Sequence, residues 1–231
     1  MSKADSTTSN TRRKSVVVMI SGRGSNLGAL ISASMTSDYP CHINGVISDK
    51  PDAGGLKLAT DCDINTYVFD RKDHASRRAH EQAILTELDS LKPDLICLAG
   101  YMRLLSGEFV DRWRGRIINI HPSLLPSFPG LDTHVRVLAH QVRIHGCSVQ
   151  FVTEGMDEGP LVAQAAVPVL PDDDEKSLAA RVLKAEHRLY PMALRLVAEG
   201  KVRMTDTGEV VFARLSEMDS APILFSPNIS D

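Results

Sequence analysis

The sequence lacks a charge of one sign, a long apolar run and closely paired cysteines, and each lack removes a class of function. Twenty-six basic against 29 acidic side chains leave a formal charge of −3, too small for a field that would gather nucleic acid or an acidic membrane. Any anionic partner must therefore be held locally. No apolar stretch approaches the roughly 18 residues that span a bilayer, and Val16 to Ile20 is too short for a signal-peptide core. Cys41, Cys62, Cys97 and Cys147 contain no C-x-x-C pair, so neither a disulfide framework nor a zinc site is indicated. Cys97, inside the apolar run Leu95 to Ala99, reads as a buried structural thiol. The chain is expected to be soluble and unprocessed in the cytoplasm, with no metal, nucleic acid or membrane as partner.

What is present is an ordinary globular composition, 43% apolar and 24% charged over 231 residues. At roughly 150 residues per domain this favours one large domain, and at this length roughly 70% of the unfolded surface can be buried. Residues 1–14 carry no aliphatic periodicity and read as a disordered tail. Residues 15–213 read as a single domain and 214–231 as a polar tail. Short apolar runs alternate with helix-period stretches from Ser15 onward. Strands are expected at Ser15 to Ile20, His42 to Ser48, Asn65 to Phe69, Asp94 to Gly100 and Arg116 to His121. Helices are expected from Leu27 to Met35, from about His74 to Leu91, and around Glu108 to Trp113. Strands apolar on both faces and separated by helices point to an α/β fold, an open and mostly parallel sheet covered on each side. After residue 140 two strands, Cys147 to Thr153 and Leu161 to Leu170, are joined by a turn with no room for a crossover, so antiparallel strands are added there. A helix at Ser177 to Glu199 and a hairpin over Val202 to Ala213 complete the pattern.

Three places can carry chemistry. Gly22, Gly24, Ser25 and Asn26 sit where a strand meets a helix, so free backbone N–H groups and the helix dipole can converge on a phosphate; a plain turn is the alternative. The dinucleotide fingerprint fails at its third glycine, which is Leu27, and there is no Walker lysine, although Asp49 can imitate a ribose ligand. Asn119 and His121, at i and i+2 of a strand, project to the same side with Ile120 turned into the packing. An amide donor beside an imidazole suits acyl transfer, where both stabilise an oxyanion and the ring moves a proton. A His that merely caps the strand end is the alternative. Asp157 lies in the antiparallel connection among Gly155, Gly159 and Pro160; placed near His121 it would favour the imidazolium form. No Ser or Cys occupies a nucleophile elbow, and His134, His140 and His145 lack the i, i+4 spacing of a zincin.

Four motifs in order, Ser21-Gly-Arg-Gly-Ser-Asn-Leu27, Ala99-Gly-Tyr-Met-Arg-Leu-Leu-Ser106, Asn119-Ile-His-Pro-Ser-Leu-Leu-Pro126 with Gly130, and Met156-Asp-Glu-Gly-Pro160, resemble the phosphoribosylglycinamide formyltransferase family of folate-dependent formyltransferases. The resemblance spans about residues 15 to 213. It implies 10-formyltetrahydrofolate as co-substrate, 5-phosphoribosylglycinamide as acceptor, and direct attack of the acceptor amine through a tetrahedral intermediate in purine biosynthesis. The catalytic set it implies is Asn119, His121 and Asp157. Gly24, Ser25 and Asn26 would hold the substrate phosphate and Glu186 its ribose. Arg77, Met102, Arg103, Leu104, Leu105, Asn119, Thr153 and Asp157 would bind the folate. Glu186 falls about 60 degrees from Leu189 on a helical wheel, beside the apolar stripe of its helix. Asp132 and Leu183 depart from the family pattern, which has a second histidine and, in some members, a lysine there. The expected assembly is a monomer or weak homodimer. Another formyl-folate transferase or a deformylase is the nearest alternative, and a nucleotide-binding module without catalysis is the alternative of another class.

Overall fold

Residues 12–213 are described by the computed structural model; of the tails expected over 1–14 and 214–231, residues 1–11 and 214–231 lie outside the described residues. Strand β1 (Lys14–Ile20) is followed by α1 (Ser25–Ser34), β2 (Cys41–Ser48), α2 (Gly54–Thr60), β3 (Thr66–Val68), α3 (Arg77–Leu91) and β4 (Leu95–Leu98). Then come α4 (Gly107–Arg112), β5 (Ile117–His121), α5 (Thr133–Ala139), β6 (Ile144–Phe151), β7 (Leu161–Pro168), α6 (Glu175–Ala198), β8 (Val202–Met204) and β9 (Val210–Phe212). The seven-stranded sheet has the order β3-β2-β1-β4-β5-β6-β7. Pairing is parallel from β3 through β5 and antiparallel for β5 with β6 and β6 with β7. This is the α/β architecture expected from the sequence, and β8 pairs with β9 as the expected terminal hairpin.

Alternation along the strands sorts side chains onto two cores. Val16, Val18, Ile20, Ile118 and Ile120 pack toward α1 and α6, with Leu178, Val182 and Leu189 opposite them. Val17, Met19, Ile96 and Ile117 pack toward α3 and α4, against Ile84, Leu88 and Phe109. Burial on both faces explains why the strands read as continuous apolar runs. The buried Tyr190 hydroxyl donates to the carbonyls of Leu98 (2.9 Å) and Ile118 (3.1 Å), fixing α6 across β4 and β5.

Several boundaries moved for identifiable reasons. Lys14 belongs to β1, paired with Cys41, and Arg12 meets Asp94 at 2.9 Å, so β1 starts one residue before the strand expected from Ser15. Helix α3 starts at Arg77 rather than near His74 because the Ser76 side chain accepts from the Ala79 N–H, and a 3-10 turn at Arg71–Asp73 comes before it. Helix α6 starts two residues earlier than Ser177 because Asp174 and Ser177 form a reciprocal capping box. Helix α2 was absent from the sequence reading; its seven residues open on two glycines and carry too short a pattern to register.

The chain leaves β1 for β2 on one side and returns to β4 on the other, so the strand order reverses between β1 and β4. At such a switch point the two connections diverge and leave a crevice outside the carboxyl ends of the strands. Backbone bonds from Ala99 N–H to the Met19 carbonyl (2.9 Å) and from Ser21 N–H to the Gly100 carbonyl (3.1 Å) hold its floor.

Candidate active site

A cleft of about 680 Å³ opens along this edge, and its walls include Asn26, Met102, Arg103, Leu104, Leu105, Asn119, His121, Thr153, Asp157 and Glu186. Residues from four separate motifs of the sequence therefore share one space. Asn119 and His121 lie at the end of β5, opposite Gln150 and Ser148 of β6, while Ile120 is buried in the core on the other face. Asn119 and His121 thus share the side of β5 that strand alternation gives them.

His121 is buried and held from both ring nitrogens. Its Nε2 lies 3.2 Å from the Phe128 carbonyl oxygen, and its Nδ1 lies 3.3 Å from Asp157 Oδ2. A neutral ring that donates through Nε2 turns a bare Nδ1 lone pair toward a carboxylate. The ring thus faces an acceptor at each nitrogen, a carbonyl at Nε2 and a carboxylate at Nδ1. Asp157 is itself fixed: the Gly130 N–H donates to Oδ2 (2.8 Å) and the Gln150 amide donates to Oδ1 (3.2 Å). Its backbone sits at φ 56, a left-handed conformation that Asp adopts more readily than bulkier residues.

The glycine turn has a mixed explanation. Gly24 adopts φ 78, and a Cβ there would stand 2.6 Å from the Gly55 Cα, so close passage of α2 alone requires glycine. The first turn of α1 has no side-chain cap, which leaves its backbone donors free for an anion. Ser25 is exposed at that end. The Asn26 amide donates to Glu186 Oε2 at 2.8 Å, joining α1 to α6, while Asn26 Oδ1 is buried without a partner among the described residues. Burial raises the Glu186 carboxyl above its ordinary value, opposed by the Asn26 hydrogen bond.

The apolar end is formed by the segment after β4. Met102 and Leu104 are 60% and 57% exposed, unusual for such side chains, whereas Leu105 is buried. The segment is pinned by the Met102 N–H donating to Ser21 Oγ (2.8 Å) and by Arg103 Nε donating to Asp49 Oδ2 (2.6 Å). Asp49 is thus buried and engaged by an arginine of its own chain, which removes the ribose-ligand role that a dinucleotide site would give it. Arg77 does not line the cleft; it donates to Glu81 (3.0 Å) and to the Leu104 carbonyl (2.8 Å), bracing the segment from behind. Asp132, at φ 54, lines the cleft before α5, and Leu183 is half-buried on α6 away from it.

Sequence reasoning missed Gln150, Ser21 and the Asp49–Arg103 tie. Gln150 stood out in principle as a polar residue inside a buried strand. His134 and His145 stack edge to face at 5.4 Å. Burial lowers both rings, His145 to about 4 with His134 as the second cause.

A family model described as formyl transferase matches residues 14–194. The phosphoribosylglycinamide formyltransferase of Escherichia coli (strain K12) is 43% identical over 189 residues, covering 82% of this chain and 89% of that protein. The trifunctional purine biosynthetic protein adenosine-3 of Drosophila melanogaster is 50% identical over 191 residues, 82% of this chain but 14% of that protein. This chain therefore spans only a small part of the trifunctional relatives it matches. The crystal structure of phosphoribosylglycinamide formyltransferase from Brucella melitensis is 60% identical with a TM-score of 0.79, covering 81% of this chain and 96% of that one.

Proposed function

The chain belongs to the formyl transferase family, and from that premise we propose that it transfers the formyl group of 10-formyltetrahydrofolate to the amine of 5-phosphoribosylglycinamide, in purine biosynthesis. The observation that carries this reading is the His121 ring, set between the Phe128 carbonyl and the Asp157 carboxylate inside the cleft that Asn119 also lines. The acceptor's own amine is the nucleophile, which agrees with the lack of a nucleophile elbow. Bound 10-formyltetrahydrofolate supplies the electrophilic formyl carbon.

Asn119 and protonated His121 stabilise the oxygen that becomes negative in the tetrahedral intermediate. His121, balanced by Asp157, releases and recovers the proton that the exchange of amines requires. Holding both reactants in one cleft supplies the orientation that a bimolecular reaction lacks. Both substrates fit groups in the cleft. The unpartnered Asn26 Oδ1 and the buried Glu186 offer acceptors to ribose hydroxyls, and the uncapped first turn of α1 with Gly24 and Ser25 offers donors to the 5-phosphate. Met102, Leu104 and Leu105 form an apolar wall for the pterin ring, with Arg103 and Thr153 beside it; Arg77 is assigned to the outer, anionic end of the folate. A cytoplasmic monomer or weak homodimer without a metal is part of the same proposal.

The test supplies formyl-labelled donor with and without 5-phosphoribosylglycinamide, and with the acceptor lacking its phosphate. Label is expected in the acceptor amide, with much poorer transfer to the dephosphorylated acceptor. Release of formate at the same rate without acceptor would mean a hydrolase instead.

A further inference from the structure

A second cavity, about 710 Å³, lies at the opposite edge of the sheet from the catalytic cleft. It is bounded by the first residues of β1 and β4, the residues just before β5, and the ends of α3 and α6. Its walls carry five cations, Lys14, Lys92, Arg112, Arg116 and Arg203, against two carboxylates, Asp89 and Asp94. That excess of three positive charges occurs in a chain whose formal charge is −3, so the concentration is local. The two carboxylates are already engaged, Asp89 by Arg112 and Asp94 by Arg12 and Lys14. Lys92, Arg116 and Arg203 have no ion-pair partner among the described residues.

The cavity also has an aromatic and apolar side. Arg116 stacks on the Trp113 ring at 4.3 Å from its centroid. Its guanidinium is held further by donating to the Arg112 carbonyl at 2.9 Å. The Trp113 indole N–H is buried without a hydrogen-bond partner among the described residues. Leu88, Val197 and Val202 complete the wall. Unpaired cations favour phosphate oxygens, and a fixed planar guanidinium favours stacking by a second planar group. The volume falls within the roughly 300–1,000 Å³ of small-molecule sites, far more than one phosphate fills.

We propose that this cavity is a second ligand site, for a phosphorylated planar metabolite of nucleotide size. Lys92 and Arg203 neutralise the phosphates, and the planar part lies against the Arg116–Trp113 stack. Catalysis does not use the site, since its lining shares no residue with the catalytic cleft.

Trp113 is the only tryptophan in the chain, so fluorescence excited at the tryptophan edge, where tyrosines such as Tyr101 of the catalytic cleft do not absorb, reports on this cavity. The full chain is titrated with ATP, inorganic pyrophosphate and adenosine at low salt. Saturable quenching by ATP is expected, with weaker saturation by pyrophosphate and none by adenosine. The double variant Lys92→Ala/Arg203→Ala, two exposed positions, should raise the apparent Kd by about tenfold or more, the scale of losing charged hydrogen bonds, with formyl transfer unchanged. An absence of saturable quenching at millimolar ATP would overturn the proposal. So would quenching that survives the double variant, or equal saturation by ATP and pyrophosphate, which would mean a simple anion site without recognition of the planar part.

Discussion

Replacing Asp157 by Asn removes one charge and the Oδ1 acceptor of the Gln150 amide, whose own unpartnered oxygen can accept from the new NH2 if the amide turns over. Asn keeps an oxygen to accept the Gly130 N–H and tolerates φ 56, so the loop should retain its shape. The carboxylate lies 3.3 Å from His121 Nδ1, where two unit charges attract by about 5 kcal/mol at an effective dielectric of about 20. Both side chains are nearly buried, 8% and 11% exposed, so solvent screens the pair weakly, but their desolvation offsets part of the attraction. Losses of about 2–4 kcal/mol are in line with removing one partner of such a pair. At 1.36 kcal/mol per decade this is a fall of about 30- to 900-fold in kcat. The assay is steady-state formyl transfer, with acceptor binding measured by calorimetry and the fold checked by circular dichroism. Acceptor affinity should hold within a few-fold, because the proposed ribose contacts, Asn26 and Glu186, are left untouched. A kcat within threefold of the parent would falsify the role of the ion pair, and a loss confined to acceptor affinity would move Asp157 from catalysis to binding.

Gly24→Ala should destabilise the chain by about 2–5 kcal/mol, combining the left-handed penalty with overpacking against Gly55; an unchanged urea midpoint would contradict the close passage of α2. Glu186→Gln tests burial of a carboxyl. Its folded pKa is raised by desolvation, so the stability linked to its protonated form is full below about 4.5 and fades as pH rises through the folded value. The variant should therefore gain stability relative to the parent between pH 4 and pH 8, and a difference independent of pH would refute this. Burial pushes the Cys41 and Cys147 thiols up to about 12 and Cys97 higher still. A thiol reagent at pH 8 should label the native chain fastest at half-buried Cys62, and rapid native labelling at Cys41 or Cys147 would show that the sheet opens there.

Much of the catalytic edge was legible because strand geometry has a period of two. Asn119 and His121 had to share a side, and Ile118 and Ile120 had to share the other, once β5 was recognised. The capped, strongly amphipathic α6 was legible for the same reason, with a period of 3.6. Two short helices were not: α2 and α5 have seven residues each, too few turns for a period to stand out, whereas the still shorter α4 was placed by the two strands around it. Arg77 shows a different limit. Its place in a helix was readable, but its bonds from Nε to Glu81 one turn later and from Nη2 to the Leu104 carbonyl across the chain were not.

The sequence by itself determined the layered α/β frame, the two-sided burial of its strands and the types of group available for chemistry, because periodicity and composition act locally along the chain. Only the tertiary structure decided which of those groups meet. Asp157 reaches His121 across 36 positions because the β6–β7 connection folds over the end of β5, and Asp49 meets Arg103 across 54 because β2 and β4 flank β1. Those encounters depend on strand order, which is set by how the whole sheet buries its two faces and leaves no mark in any local stretch of residues.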